Sequence, residues 1–393
     1  MRKAYFDHIA ATPLHPEALE AMRPYLGETF GNPQSLHSAG QQALAAVEAA
    51  REEVAGLINA ESEEVYFTSS GSESNTTAIK GLAQAYQAKG KHIVVSAVEH
   101  LSVLNPAKSL EKLGFSSTTV CVDKWGRVDP ADVGKALRKD TVLVSVMMAN
   151  GEVGTLQPVA EIARTCRAQS VLVHTDAVAA AGSIPIDVKA LGVDSLSLAG
   201  DQFYGPKGSA ALFLKRGTRI LPLIEGGVQE SGRRAGTENV AGIVGLGRAA
   251  AVAKAELGNR DARLRPLRDI LIEKLPRLVD HVVLTGHPTE RLPHHASFCV
   301  EFIEGEGMLL LLDMQGISAS SGSACTSKAL KASHVLLAMG LDHALAQGSL
   351  VFSLIDGTVR EDIDHLLEVF PPVIERLRKM SPLYTQYLKE KAA

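Results

Sequence analysis

The sequence predicts an α/β protein with a mostly parallel central sheet covered by helices on both faces, followed by a smaller α+β unit. Three observations carry this. From about residue 41 to 255, helical periodicity alternates with short β-branched runs; those runs are apolar on both faces; and after residue 255 the alternation gives way to a long charged helix and three spaced strands. The expected division is 15–255 for the large domain, with 1–14 and 256–393 forming the small one.

In chain order, "QQALAAVEAAREEVAGLI" has the three-to-four spacing of an amphipathic helix and "VYFT" (65–68) is a strand. "NTTAIKGLAQAYQAKG" is the next helix and "HIVVSA" (92–97) the next strand. "TVLVSVMM" (141–148) and "VLVHTD" (171–176) are strands flanking a helix near "VAEIARTCRAQ". "LSLAGDQFYGPKGSAALFL" (196–214) reads as strand, tight turn, strand. Beyond it come the charged helix "AKAELGNRDARLRPLRDILIEKLPRLV", strands in "HVVLTG", "SFCVEF" and "SLVFSL", and the closing helix "TVREDIDHLLEVFPPVIERLRKM". In such folds the reactive loops lie at the carboxyl ends of the strands.

The 393 residues are 46% hydrophobic and 21% charged, with a net charge of −4, the profile of an ordinary globular chain with no electrostatic case for nucleic acid or an anionic membrane. The opening "MRKAYFDHIAATPLHP" lacks the apolar core of a signal peptide, and no apolar run is long enough to span a membrane. A cytoplasmic protein is expected. Cys121, Cys166, Cys299 and Cys325 are widely spaced and form no CxxC pair, which argues against a disulfide framework or a self-contained zinc site. The first three fit apolar or helical patterns and are expected as core thiols.

Cys325 differs. It lies in "ISASSGSACTSKAL", among Ser, Gly and Ala, with no bulky neighbour to bury it. An exposed thiol there suggests a nucleophile, a sulfur carrier or a metal ligand. "FTSSGSESNTTAIK" puts Gly71, Ser72 and Glu73 at a helix start, where backbone N–H groups and the helix dipole suit a phosphate, although the same residues also make an ordinary cap. His100 and Asp176 follow strands; singly, each reads more simply as a helix cap, and only their joint position at one sheet edge raises them as site residues. "GGVQESGRRAGTENVAG" is a Gly/Arg-rich loop suited to an anion or a subunit contact.

Together these stretches resemble the cysteine desulfurases, class V enzymes of the fold-type I group that use pyridoxal phosphate (PLP). "YFDHIAATPLHP" is similar to the family's "YLDNAATTP" opening, "FGNPQSLHSAG" to "GNPSSxHxxG", and "SSGSAC", "YGPKG" and "MSPLY" to its later motifs. The resemblance implies a PLP-transferase-like fold, His100 stacking on the cofactor, Asp176 pairing with its ring nitrogen, Gly71, Ser72 and Thr237 at its phosphate, and Cys325 as the persulfide cysteine. It also implies a homodimer in which Thr237 reaches the neighbouring pocket.

Six positions depart from the family's pattern. Where it has Ser-x-His-Lys before "YGPKG", this chain has Ala199, Gly200, Asp201 and Gln202, as in variants lacking the PLP-binding lysine. Gln202 offers no amine to form the cofactor imine. Ala179 replaces a glutamine, Gly151 an asparagine that contacts the cofactor, and Val351 an arginine that binds the substrate carboxylate. The expectation drawn from these is a desulfurase homologue with a degraded site: PLP absent or weakly bound, no desulfurase activity, and Cys325 serving iron–sulfur assembly or sulfur transfer, with a scaffold or acceptor protein and as a candidate cluster ligand. The alternative is an active PLP-dependent cysteine desulfurase that makes alanine and a Cys325 persulfide, with PLP held non-covalently and Lys207 or His100 moving protons. A third reading puts other chemistry in the pocket, with Asp201 and Asp176 as acids or bases.

Overall fold

The computed structural model describes residues 2–322 and 332–392. Its main sheet has seven strands in the order β2-β8-β7-β6-β5-β3-β4, where β2 is Val65–Thr68, β3 His92–Ser96, β4 Ser116–Val120, β5 Thr141–Ser145, β6 Leu172–Asp176, β7 Ser195–Ala199 and β8 Ala210–Leu214. Neighbours from β7 through β4 pair in parallel, and β8 runs antiparallel to both β2 and β7.

Alternate side chains of one strand enter opposite cores, which is why the strands read as continuously apolar. Leu143 joins Ile79, Leu82, Ile93 and Leu110 on one face, whereas Val144 joins Ile58, Ile162, Leu196 and Leu246 on the other. Helix α1 (Ser38–Ile58) covers the second face, and α2 (Gly71–Ala85) and α3 (Leu101–Leu110) supply apolar side chains to the first. This is the fold-type I architecture the sequence predicts.

A second, antiparallel sheet has the order β12-β10-β9, from β9 (Val282–Thr285), β10 (His295–Val300) and β12 (Ser349–Ser353). Its core gathers Phe298, Phe352 and Phe370 with Leu264 and Leu271, and takes Ala4 and Phe6 from the N-terminus. A short pair, β1 (Ala4–Tyr5) with β11 (Ile317–Ser318), ties that N-terminus in. Helix α4 (Val240–Leu278) is continuous and contributes Leu246 to the large core and Leu271 to this one. Of the cysteines, Cys166 and Cys299 are buried, and burial pushes both thiols up to about 12. Cys121 is exposed, against expectation, because it follows the polar edge strand β4. Cys325 lies outside the described residues.

Candidate active site

The N-terminus of α2 lies close against the ends of two strands. A Cβ on Gly71 would come within 2.6 Å of Val178 Cγ2 and 3.6 Å of Ala199 Cβ, so the missing side chain is what lets this helix start approach the ends of β6 and β7. Ser70 caps the helix and accepts the Glu73 N–H at 3.1 Å, which removes one of the three N–H groups expected to face an anion. Glu73 in turn accepts from the Ser69 N–H at 2.8 Å and from Arg234 Nε at 3.0 Å. Ser72 and Thr237 are exposed.

Asp176 ends β6 and is only 5% exposed. Its Oδ2 accepts from Asn75 Nδ2 at 2.6 Å and its Oδ1 from the Val178 N–H at 2.9 Å. Burial holds this carboxyl above the usual range, opposed by those two bonds and by the charge of His100. Among the described residues no lysine or arginine forms an ion pair with it. His100 is exposed and caps α3, its Nδ1 accepting the Ser102 N–H at 3.1 Å. Behind it, Glu99 is buried, accepts from Ser96 Oγ at 2.6 Å and the Met147 N–H at 2.7 Å, and is pushed up to about 8 by desolvation.

Two of the replaced positions, Gly151 and Gln202, meet Ile9. A Cβ on Gly151 would lie 3.2 Å from Ile9 Cγ1 and 4.0 Å from Ala179 Cβ. Gln202, 7% exposed, donates from Nε2 to the Ile9 carbonyl at 3.2 Å, and its own carbonyl meets His8 Nε2 at 2.9 Å. The Asp201 carboxyl is raised by burial, and its carbonyl accepts from Thr12 Oγ1 at 2.8 Å. Lys207 is exposed and acts on Asp201 only as a nearby charge. Val351 is buried on β12, opposite Ser297.

Four residues here escape a reading by motif: Ile9, Asn75, Ser102 and His174. Asn75 lies one helical turn beyond Gly71, and His174 two residues before Asp176 on the same face of β6, so periodicity places both beside the residues the motifs pick out.

The donor set fits PLP at its ring end. A buried carboxylate without a cationic partner is what a protonated pyridine nitrogen requires, and the α2 N-terminus lies at the same sheet edge. At residue 202 the fit is non-covalent only, because a carboxamide has no nucleophilic amine.

The chain matches the class-V aminotransferase family over residues 4–366. It is 49% identical to the cysteine desulfurase IscS of Dictyoglomus turgidum, with 97% of each chain covered, and 48% identical to that of Methanosarcina thermophila, with 97% and 94% covered. A solved NifS-like protein superposes with a TM-score of 0.90 at 35% identity, covering 96% of this chain and all of that one. The chain belongs to the class V aminotransferase family, in its cysteine desulfurase group.

These relatives overturn two expectations. The reading of a homologue inactive as a desulfurase gives way to the alternative of an active one, and the expected absence or weak binding of PLP falls with it. The replacements at 151, 179, 199, 201, 202 and 351 leave in place a buried acid, Asp176, held by the amide of Asn75.

Proposed function

We propose that this chain is a PLP-dependent cysteine desulfurase: cysteine and the Cys325 thiol become alanine and a Cys325 persulfide, whose outer sulfur passes to an acceptor or scaffold protein of iron–sulfur assembly. The observation that carries the reading is the buried Asp176 carboxylate, hydrogen-bonded by Asn75 and without a lysine or arginine ion pair among the described residues. PLP, when bound, supplies the electron sink for the substrate α-carbon.

The residues around it then take defined tasks. Asp176 holds the ring-nitrogen proton, His100 faces the ring, and Gly71 and Ser72, with Thr237 of a second copy, take the phosphate. Gln202 orients without covalent attachment, so proton transfer falls to Lys207 or His100. Cys325 carries sulfur, and the working unit is a homodimer built from a large domain (15–255) and a small one (1–14 with 256–393). No described helix is long and apolar enough to cross a membrane.

The test is incubation of purified protein with PLP and cysteine, following alanine by chromatography and the persulfide by intact mass. Alanine together with a sulfur adduct that disappears in Cys325→Ala supports the reading. Neither product, with PLP supplied in excess, rejects it.

A further inference from the structure

Behind Asp176 lies a chain of side-chain hydrogen bonds whose directions can be fixed by counting protons. Asn75 is the hub. Its Nδ2 donates to Asp176 Oδ2 at 2.6 Å and to Ser102 Oγ at 2.9 Å, so both amide hydrogens are committed. Its Oδ1 faces His174 Nε2 at 3.1 Å, and a carbonyl oxygen can only accept, so His174 carries its proton on Nε2. His174 Nδ1 is then the acceptor for Ser195 Oγ at 3.1 Å, and burial keeps the ring neutral by lowering it to about 3.

On the other side, Ser102 Oγ already accepts from Asn75 and lies 2.7 Å from His100 Nδ1, which also accepts the Ser102 backbone N–H. Nδ1 is therefore the acceptor, the serine hydroxyl donates to it, and the proton of neutral His100 sits on Nε2.

We propose that Asn75 is a positioning residue that sets two groups at once, holding Asp176 through one amide hydrogen and, through the other, turning the Ser102 hydroxyl onto His100 Nδ1, with His174 locking the amide against rotation. This rests on the desulfurase reading for its purpose, because Asp176 and His100 are there the residues that pair with the ring nitrogen and face the cofactor ring. The geometry itself belongs to the chain alone. Asn75 and Ser102 bond the two functional side chains directly and His174 reaches them through Asn75, so all three act through those side chains.

The experiment is NMR on protein labelled with 15N-histidine and 13C-aspartate, prepared without added PLP or cysteine. In wild type, His100 should show an unprotonated Nδ1 and a protonated Nε2. Asn75→Asp keeps the shape but puts a second carboxylate against Asp176, so the Asp176 titration should rise by at least about one pH unit. The Ser102 hydroxyl should turn toward the new carboxylate, and the His100 Nδ1 signal should shift as it loses that hydrogen bond. His174→Gln, which can still donate to Asn75 Oδ1, should keep the wild-type pattern, whereas His174→Phe should shift the Asp176 and His100 signals together. If Asn75→Asp does not fold, Ser102→Ala provides the same test of His100: the Nδ1 signal should shift with loss of the hydroxyl hydrogen bond, while the backbone N–H of residue 102 keeps Nδ1 unprotonated. An Asp176 titration and His100 pattern unchanged in Asn75→Asp, an unchanged His100 in Ser102→Ala, or identical behaviour of the two His174 variants would overturn the proposal. A protein that makes no alanine would reject the desulfurase reading and leave these spectra standing.

Discussion

Gln202 donates its carboxamide N–H to the carbonyl of Ile9, 3.2 Å away, so its side chain is fastened to the N-terminal segment. Lysine at this position would have to leave that bond and carry its charge in a site where residue 202 is almost fully buried. A depressed amine pKa is the expected result, and that favours attack on an aldehyde. With PLP present, borohydride reduction should therefore fix cofactor at position 202 in Gln202→Lys and leave that position unlabelled in wild type, as peptide mass mapping would show. Labelling at neither would mean that the Ile9 segment blocks access.

Asp176→Asn exchanges an acceptor-only carboxylate for an amide of the same shape. One amide N–H must then oppose either the Asn75 Nδ2 or the Val178 N–H, and the negative charge proposed to face the ring nitrogen is gone. Alanine formation should fall on the order of 10²-fold or more, the scale for losing one pre-oriented electrostatic partner. A loss of less than threefold would remove Asp176 from its assigned role.

Much of this site was legible because its residues follow strands, but the pieces between them were not. The strands the sequence predicts at 65–68, 92–97 and 171–176 match β2, β3 and β6 to within a residue, since β-branched runs buried on both faces have no helical alternative of that length. Strand β4, "SSTTV", escaped because it is an edge strand with polar, largely exposed side chains. Helix α3 escaped because Pro106 interrupts its pattern, although the proline sits in a buried stretch where packing outweighs local propensity. Ile9 could not be recognised as a neighbour of Gly151, because it is the bridge of Asp7 to Ser353 on β12 that brings the N-terminal segment there.

Glu99 gives a pH signature. Its carboxyl is raised to about 8, so between the unfolded value near 4.5 and that pH the native state holds a proton that the unfolded chain has lost. The stability it contributes is therefore present below the unfolded value and lost as pH rises, by up to about 1.4 kcal/mol per pH unit until the folded value is passed. Glu99→Gln should flatten melting temperature against pH between 5 and 8. Parallel curves for variant and wild type would place that pH dependence elsewhere.

Gly71→Ala tests the close approach of α2. The added methyl would meet Val178 Cγ2 at 2.6 Å, inside contact distance, so the helix start or the valine must move. The expected cost is about 1–3 kcal/mol. Val178→Ala on the same chain should recover part of it, because the 2.6 Å contact is with the valine side chain. Non-additivity in a denaturant double-mutant cycle is the required result, and simple additivity would mean that the two residues do not oppose each other.

The last prediction concerns the homodimer. Phe30, Leu36 and Val228 are 86%, 93% and 76% exposed, far more than large apolar side chains gain by facing water. They belong to neighbouring segments, because Gln34 Nε2 donates to Glu238 Oε1 at 3.1 Å and so ties the 30–36 stretch to the Gly/Arg loop. That loop is rigid at its root: Glu230 accepts from Arg51 Nη1 at 2.7 Å, from Arg51 Nη2 at 2.9 Å and from the Phe67 N–H at 2.9 Å, a buried cluster that fixes the backbone leading to Thr237. A second copy packed against this surface would cover the apolar side chains and carry Thr237 toward the neighbouring pocket in one step, through the self-complementary contact of a two-fold pair. Leu36→Asp with Val228→Asp places charges on that surface without touching a buried core. Light scattering at micromolar concentration should find wild type dimeric and the double variant monomeric, with circular dichroism unchanged. The same variant should lose alanine formation, because each pocket then lacks the neighbour's threonine. A dimeric double variant would mean that the chains associate elsewhere, and a monomeric one with full activity that Thr237 serves no second pocket.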